Sequence, residues 1–292
     1  MKTKIKKKTK IKYEFLGKNC VVLSSQGNRM DMNDEYIIDT FKDIKIFGLF
    51  DGHNGSYISK SLPNLTKILN KYIDMYFNNI INYINLVEII NNEFIKIDKQ
   101  YYIKNIKQGS TLLILYIYNN NLLIVNLGDS KTIIIDKNYN HIFETLQHRP
   151  DDINEQKRIN KTKYTIINNN GILRINNEIS LSRCFGDFKY KISEYDEQSL
   201  SCFASVFQIN EIYDGIYSAI SVIPKLYRYN IDNNSYIIIA SDGFWDFIKY
   251  KDIKYIFIKY KLLDLEFIAK KLIKKTINSG SNDNITIILI KI

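Results

Sequence analysis

Glycine, proline, cysteine and histidine are all scarce in this chain of 292 residues, which contains 12, 3, 3 and 3 of them. So little glycine and proline excludes collagen-like repeats and Pro/Gly-rich low-complexity chains. Three cysteines, an odd number without metal-ligand spacing, exclude a small disulfide-stapled scaffold and predict reduced thiols in an intracellular protein. The histidines, His53, His141 and His148, also lack ligand spacing, which disfavours a zinc site.

Long hydrophobic runs are absent as well. A membrane-spanning helix needs about 20 apolar residues, whereas the longest runs here, such as Leu112–Tyr118, have the length of a strand. The Lys-rich N-terminus is not followed by the apolar segment of a secretory signal. With 45% hydrophobic and 25% charged residues, the composition predicts a soluble, cytoplasmic globular protein with a substantial core and no membrane span.

The net charge of +10 lies mostly at the N-terminus. Seven lysines precede Glu14, the first acidic residue, so the remaining chain carries only about +3. We predict that residues 1–15 form a basic, disordered tail. Nuclear targeting or binding to an anionic surface is the alternative role for this tail. Because the rest of the chain is nearly balanced in charge, no nucleic-acid partner is expected.

Strand-like and helix-like patterns occur in separate blocks. Apolar runs predict strands over Ile44–Phe50, Leu112–Tyr118, Leu122–Leu127, Tyr236–Ala240 and Ile285–Ile292. A 3.6-residue period predicts helices over Leu62–Tyr76, Leu86–Tyr101 and Leu265–Thr276. Antiparallel strand blocks and grouped helices favour a layered α+β fold over alternating βαβ units. The polar stretch over residues 149–180 is predicted to be an irregular surface flap within one domain.

Aspartates stand beside glycines where several of these stretches end. The pairs are Asp51-Gly52, Gly128-Asp129, Gly186-Asp187 and Asp242-Gly243, and Asp283 shortly precedes the last predicted strand. A single such aspartate is most simply a turn residue. Several carboxylates gathered at one end of a sheet would repel one another unless a cation neutralised them. The pattern therefore predicts a Mg²⁺- or Mn²⁺-dependent enzyme that acts on phosphate.

Seven short motifs give a more specific pattern, and they follow one another in a set order. They are Arg29–Asp34, Phe47–His53, Gly109–Thr111, Asn126–Lys131, Leu181–Asp187, Ala240–Asp246 and Ser281–Thr286. With these motifs, the chain from about Asn19 to its C-terminus resembles the metal-dependent protein serine/threonine phosphatases of type 2C, the PPM family. The resemblance implies an α+β, four-layer α-β-β-α sandwich of two antiparallel sheets flanked by paired helices, with a phosphatase domain over residues 16–292.

The resemblance also implies a site for two metal ions, Mg²⁺ or Mn²⁺, at one end of the sandwich. Asp51 would bridge the two ions, and the Gly52 carbonyl would help to bind one of them. Asp242 and Asp283 would be ligands of the other ion. A water molecule activated between the ions would attack phosphorus in line, without a phosphoenzyme.

Four further residues are placed around these ions by the resemblance. Asp129 and Asp246 would contribute to a looser, third metal site. Asp34 would hydrogen-bond to metal-bound water, and Asn33 stands beside it in the first motif. The substrates would be phosphoproteins, and the protein is expected to be a monomer.

Arg29 and His53 are the catalytic candidates. Arg29 would bind the substrate phosphate, for which a guanidinium is suited by its two parallel donors; a surface ion pair is the alternative. His53 would protonate the serine or threonine oxygen that leaves, because an alkoxide leaves poorly. The alternative role for His53 is to orient a ligand carboxylate.

Two positions depart from the family pattern. Asn33 stands where many relatives have Glu, which removes a negative charge beside the metals, and Asn54 stands where Gly or Ala is common. A pseudophosphatase, in which the same fold serves as a regulatory or scaffold module with weakened metal binding, is therefore the alternative to an active enzyme. Retention of Arg29 and the three metal-ligand aspartates favours the enzyme.

Overall fold

The computed structural model describes residues 11–15, 19–191 and 218–292. Residues 1–10 of the predicted tail, and Cys202, lie outside the described residues. In chain order the strands are β1 (Ile11–Phe15), β2 (Cys20–Ser25), β3 (Glu35–Phe41), β4 (Ile44–Phe50), β5 (Gly52–His53), β6 (Gly109–Ser110), β7 (Leu112–Tyr118), β8 (Asn121–Leu127), β9 (Lys131–Ile135), β10 (His141–Glu144), β11 (Ile166–Asn169), β12 (Ile172–Ile175), β13 (Phe185–Gly186), β14 (Lys225–Asn230), β15 (Tyr236–Ala240) and β16 (Ile285–Lys291). The helices are α1 (Tyr57–Ser61), α2 (Pro63–Phe77), α3 (Tyr83–Ile103), α4 (Ile153–Ile159), α5 (Asp242–Trp245), α6 (Tyr250–Lys259) and α7 (Leu265–Asn278), with a 3₁₀ turn at Phe188–Tyr190.

The chain forms two compact units, each built from separate stretches of sequence. The first unit comprises Met1–Asp34, Ser130–Thr145 and Asn230–Ile292. Its six-stranded sheet has the order β1-β2-β16-β15-β9-β10, and every neighbouring pair is antiparallel. Because Ile11–Phe15 is a strand of this sheet, the prediction of a disordered tail is wrong for the last five of its fifteen residues.

Helices α6 and α7 cover one face of this first sheet. Asp264 caps α7 by accepting a hydrogen bond from the Phe267 backbone N–H over 2.8 Å. The apolar residues that follow recur every three or four positions, so one face of the helix, including Ile268 and Leu272, is buried against sheet residues such as Leu23 and Ile238. The predicted helix over Leu265–Thr276 is therefore confirmed.

The second unit comprises Glu35–Asp129 and Leu146–Tyr229. Its five-stranded sheet has the order β14-β8-β7-β4-β3, in which β3, β4, β7 and β8 pair antiparallel. Pro63 begins α2, and Asn82 caps α3 by accepting from the Asn85 backbone N–H over 2.9 Å. The two helices bury residues such as Leu69 and Phe94 in one core with strand residues such as Ile114, which confirms the predicted helix pair.

The stretch over residues 149–180 is more regular than the sequence suggested. It holds α4 and the antiparallel hairpin β11-β12. Ile159, Tyr164 and Ile175 are buried there in a small core of their own, which also contains Leu181. The expectation of an irregular flap is wrong, because a short polar helix and hairpin give little hydrophobic periodicity to detect.

A three-stranded sheet of very short strands, β13-β6-β5, completes the second unit. In its register Gly109 pairs with His53 on one side and with Gly186 on the other. This sheet therefore brings two of the sequence motifs into one row. The described residues as a whole are α+β, with two larger antiparallel sheets and grouped helices, as predicted.

Candidate active site

Asp51 and Asp129 lie at the same end of the five-stranded sheet, just beyond the C-terminal ends of β4 and β8. Strands β4 and β8 both pair antiparallel with β7, so they run in the same direction. Asp51 directly follows β4, and Asp129 comes two residues after β8. The Asp51 backbone is fixed there, because its N–H donates to Thr111 Oγ1 over 3.3 Å and its carbonyl accepts from the Thr111 N–H over 2.9 Å.

Asp129 is a buried carboxylate, and two sets of hydrogen bonds within its own unit hold it in place. Arg149 Nε donates to Asp129 Oδ2 over 3.1 Å. The preceding turn is held by His148, whose Nδ1 accepts from the Gly128 N–H over 3.0 Å, while the His148 N–H donates to the Gly128 carbonyl over 2.9 Å. Burial, and then the charge of Arg183, lower the pKa of His148 to about 3. His148 is therefore neutral and able to accept this hydrogen bond.

Gly52 and His53 form β5, next to Asp51. Gly52 is buried and pairs with Ser110. His53 Nε2 contacts Asp187 Oδ2, and the His53 side chain is 25% exposed whereas that of Asp187 is 9% exposed. Burial raises the pKa of the Asp187 carboxyl, but the hydrogen bond and charge of His53, followed by the Cys184 thiol, outweigh burial and lower it below its usual range.

Asp242 and Asp283 lie at one end of the six-stranded sheet, where β15 ends and β16 begins. Strands β15 and β16 are antiparallel neighbours; Asp242 follows the end of β15, and Asp283 precedes the start of β16. A Cβ at Gly243 would stand 2.0 Å from the Asn284 carbonyl oxygen and 3.1 Å from the Asp283 Cβ. Only glycine allows this close approach, which brings the two aspartate-bearing turns into contact.

Arg29 and the first motif lie beside the Asp283 turn. Arg29 Nη2 donates to Asp283 Oδ2 over 2.5 Å, so the structure gives Arg29 an ion pair with a predicted metal ligand. Asn33 donates its backbone N–H to Asn284 Oδ1 over 2.8 Å. Asp34 is buried, and its Oδ2 accepts from Ser241 Oγ over 3.0 Å, which places it beside the Asp242 turn.

Asp246 directly follows helix α5, one turn after Asp242. Its backbone N–H donates to the Asp242 carbonyl over 3.0 Å. Because α5 is a single turn, both side chains stay near the same end of β15.

Asn54 and Asn33 are the two positions that depart from the family pattern, and the backbone conformation shows whether each residue is compatible with its turn. Asn54 has a φ of +59°, a left-handed conformation that glycine adopts freely and asparagine tolerates better than most other residues. The substitution at Asn54 is therefore compatible with the turn. Nothing in the backbone at Asn33 explains why an amide stands there.

Two carboxylate pairings in the second unit were not predicted from the sequence. Glu155 on α4 is a buried carboxylate held by Arg183, with Nη2–Oε1 at 2.5 Å, and by Arg158, with Nη2–Oε2 at 2.8 Å. Burial raises the pKa of Glu155, but the hydrogen bonds and charges of these two arginines outweigh it and lower the pKa to about 2. The second pairing is the contact of Asp187 with His53. Both Arg183 and Asp187 belong to a motif quoted above without a role.

Cys184 lies in the same motif and is fully buried. Its Sγ donates to Asp187 Oδ2 over 3.2 Å, and burial, followed by the charge of Asp187, raises the pKa of the thiol well above its usual value. Cys20 is also buried, and neither cysteine forms a disulfide within the described residues. Both observations agree with reduced thiols.

The donor groups at these ends suit a hard divalent cation. Each of the two larger sheets has a pair of aspartates at one end, Asp51 with Asp129 and Asp242 with Asp283, and carboxylate oxygens are the ligands that Mg²⁺ and Mn²⁺ prefer. A mixed set of His53, Cys184 and Asp187 has ligand atoms within 4.8 Å of one another. Its atoms are joined by the hydrogen bonds described above.

The chain matches the family model "Protein phosphatase 2C" over residues 19–285. It is 28% identical to bovine protein phosphatase 1L over 96% of this chain and 74% of that protein. It is 26% identical to Caenorhabditis elegans protein phosphatase ppm-1.A, over 97% of this chain but 61% of the relative. A probable protein phosphatase 2C of rice is also 26% identical, over 94% of this chain and 50% of the relative.

Solved structures show the same fold at lower identity. A phosphatase from Toxoplasma gondii has a TM-score of 0.74 at 16% identity, over 97% of this chain and 95% of that chain. A serine/threonine phosphatase from S. agalactiae has a TM-score of 0.62 at 14% identity, over 98% and 100%. Along the residues that the structure describes, no helix is long and apolar enough to cross a membrane.

None of these comparisons supports the pseudophosphatase alternative. The family model covers nearly the whole chain and includes all the motifs from Arg29 to Asp283. The chain therefore belongs to the protein phosphatase 2C family, the metal-dependent protein serine/threonine phosphatases.

Proposed function

We propose that this chain hydrolyses phosphoserine and phosphothreonine in phosphoproteins with two Mg²⁺ or Mn²⁺ ions. Asp51 and the Gly52 carbonyl would hold one ion, and Asp51, Asp242 and Asp283 would hold the other. The observation that carries the proposal is the placement of aspartates within two residues of strand ends, on turns whose backbone is fixed by close contacts. Within each pair, Asp51 with Asp129 and Asp242 with Asp283, carboxylates held at one end of a sheet repel each other, and a divalent cation would remove that repulsion.

When bound, the two ions would supply an activated water that attacks phosphorus in line, without a phosphoenzyme. Arg29 would bind the equatorial phosphate oxygens. Its guanidinium side chain is 60% exposed although it pairs with Asp283, so donors remain for an incoming phosphate. Asp34 would hydrogen-bond to water in the site, held in place by Ser241.

His53 would give a proton to the serine or threonine oxygen as the phosphorus–oxygen bond breaks. Its partial exposure allows access to a substrate. Asp129 and Asp246 would take part in a third, weaker metal site, and Asn33 would contribute an uncharged oxygen near the first motif. We expect a monomeric, cytoplasmic enzyme.

Turnover of a phosphothreonine peptide tests the proposal. Purified protein should release phosphate with Mn²⁺ or Mg²⁺, EDTA should abolish the release, and added Mn²⁺ should restore it. A preparation that is folded by circular dichroism but releases no phosphate with either ion would contradict the proposal.

A further inference from the structure

The Leu181–Asp187 motif has no part in the function proposed above, yet it ends at the one carboxylate that touches His53 in the described residues. In the small sheet β5-β6-β13, His53, Gly109 and Gly186 stand in one row. Asp187 follows Gly186 in a left-handed conformation, with φ at +50°. That turn directs the carboxylate back across Gly109 to the imidazole.

The contact determines the orientation of the His53 ring. A carboxylate can only accept a hydrogen bond, so Nε2 carries the proton of the bond to Asp187. Nδ1 is then the ring nitrogen that can donate to a substrate. Gly109 leaves the space in which the two side chains meet, because a Cβ there would stand 2.1 Å from His53 Nε2 and 2.5 Å from Asp187 Oδ2.

Asp187 is itself held firmly. The Cys184 thiol donates to the same carboxylate oxygen that contacts His53. The turn before it is anchored to helix α3, because the Gly186 N–H donates to Asp98 Oδ1 over 2.8 Å. Lys191 Nζ pairs with Asp98 Oδ2 over 2.7 Å, and both of these side chains are almost fully buried.

We propose that Asp187 is the positioning residue for His53: it accepts the Nε2 proton and orients the ring so that Nδ1 donates to the leaving oxygen. This inference rests on the proposed function, in which His53 is the general acid. In the step itself the oxygen of hydroxide, which the activated water becomes on losing a proton to solvent, bonds to phosphorus as the bond from phosphorus to the serine or threonine oxygen breaks. The electron pair goes to that oxygen with the Nδ1 proton, and the ring is left neutral with Nε2–H on Asp187.

The leaving group provides a test that a merely structural role would not satisfy. A threonine alkoxide needs a proton to leave, whereas nitrophenolate leaves without one. We expect Asp187→Asn to lower kcat on a phosphothreonine peptide by about 10- to 100-fold and to leave kcat on p-nitrophenyl phosphate nearly unchanged. An equal loss on both substrates, or no loss on either, would overturn the inference. Asparagine suits the left-handed backbone at this position.

Glu155→Gln is the matched control. Glu155 is another buried carboxylate of the same unit, paired with arginines and not with His53. It should lower stability without changing the ratio of kcat between the two substrates. A changed ratio in this control would mean that general loosening of the unit explains the effect, which would count against Asp187.

His53→Gln separates this inference from the proposed function. It should reduce peptide turnover by about 10²- to 10⁴-fold and spare p-nitrophenyl phosphate, and adding Asp187→Asn should reduce it no further. If His53→Gln shows no dependence on the leaving group, the general-acid role fails, and the role of Asp187 fails with it. If His53→Gln shows the dependence and Asp187→Asn does not, only the role of Asp187 fails.

The wild-type protein offers a test that needs no folded variant of Asp187. Nitrogen NMR of protein with isotope-labelled histidine has only three histidines to resolve, and the His53→Gln spectrum assigns the signal of His53. The neutral ring of His53 should carry its proton on Nε2. A proton on Nδ1 in the neutral ring would overturn the proposal.

Discussion

Arg29 and Asp283 form an ion pair, with Nη2 of the guanidinium 2.5 Å from Oδ2 of the carboxylate. The pair joins the residue proposed to bind phosphate to a residue proposed to bind metal. The arginine side chain is 60% exposed and that of the aspartate 32%, so the pair adds little to stability, about 0–1 kcal/mol. Its position is better explained by recognition of an anion than by folding.

Arg29→Ala should therefore impair catalysis much more than stability. Loss of charge-assisted hydrogen bonds of about 1.5–3 kcal/mol corresponds to a fall in kcat/KM of about 10- to 100-fold. Inhibition by inorganic phosphate should weaken in parallel, and the melting temperature should change little. Steady-state kinetics with added phosphate measures both effects.

Met30→Ala is the control for Arg29, because Met30 is the next residue and is 94% exposed. It should leave kcat/KM and phosphate inhibition unchanged. Unaltered phosphate inhibition in Arg29→Ala would show that this arginine is a surface ion-pair partner only.

Asp51→Asn and Asp242→Asn should each abolish peptide turnover at saturating Mn²⁺ while the protein stays folded. Each change removes a metal-ligand charge but keeps the size of the side chain. In EDTA the melting temperature should hold or rise, because a like charge has left a group of carboxylates. Asp39→Asn, at an exposed position of β3, should keep full activity. Near-normal turnover in either site variant would show that the metal-ligand assignment is wrong.

Asn33→Glu should lower the Mg²⁺ concentration needed for half-maximal activity. The loop is tied by the Asn33 N–H to Asn284, the neighbour of Asp283, so the new carboxylate should stay near the metals. A carboxylate about 4 Å from a divalent cation gains about 8 kcal/mol at an effective dielectric near 20, twice the value for two unit charges. If about 1 kcal/mol of this survives desolvation, binding tightens about fivefold.

Asn33→Gln separates the charge from the longer side chain and should leave the Mg²⁺ midpoint where it is. Titrations of phosphopeptide hydrolysis by the three proteins make the comparison. A midpoint for Asn33→Glu at or above that of the wild type would mean that residue 33 does not face the metals.

The elements with a strong hydrophobic pattern were the ones best predicted from the sequence. Strands Ile44–Phe50 and Tyr236–Ala240 have the predicted bounds, because each is an apolar run that stops at a polar turn bearing aspartate and glycine. Helix α4 was missed, since only Glu155 and Ile159 of its seven residues are buried. The position of this helix is fixed by the ion pairs of Glu155 with Arg158 and Arg183, and such pairs leave no periodic pattern in the sequence.

The site residues were identified by motif, and their partners were not. Asp187 stands 134 residues from His53 in the chain, and Arg149 stands 20 residues from Asp129. No local pattern links such positions; the register of short strands and the geometry of turns bring them together. The motif that contains Asp187 was visible in the sequence, but the chemistry of its aspartate needed the structure.

Stability in acid should depend on two buried groups, His148 and Glu155. The pKa of His148 falls from an ordinary 6.5 to about 3 on folding. Between these values the unfolded chain binds a proton that the folded protein does not, so stability falls as the pH falls, by about 1.4 kcal/mol per pH unit. The pKa of Glu155 falls from 4.5 to about 2, so its contribution is present above pH 4.5 and is lost as the pH falls towards 2.

Unfolding by urea between pH 7 and pH 4 measures the expected slope. Glutamine can accept the Gly128 hydrogen bond and does not titrate, so His148→Gln should flatten the decline between pH 6.5 and 4.5. An identical pH dependence in His148→Gln and wild type would show that His148 is protonated in the folded protein, contrary to the hydrogen bond it accepts from Gly128.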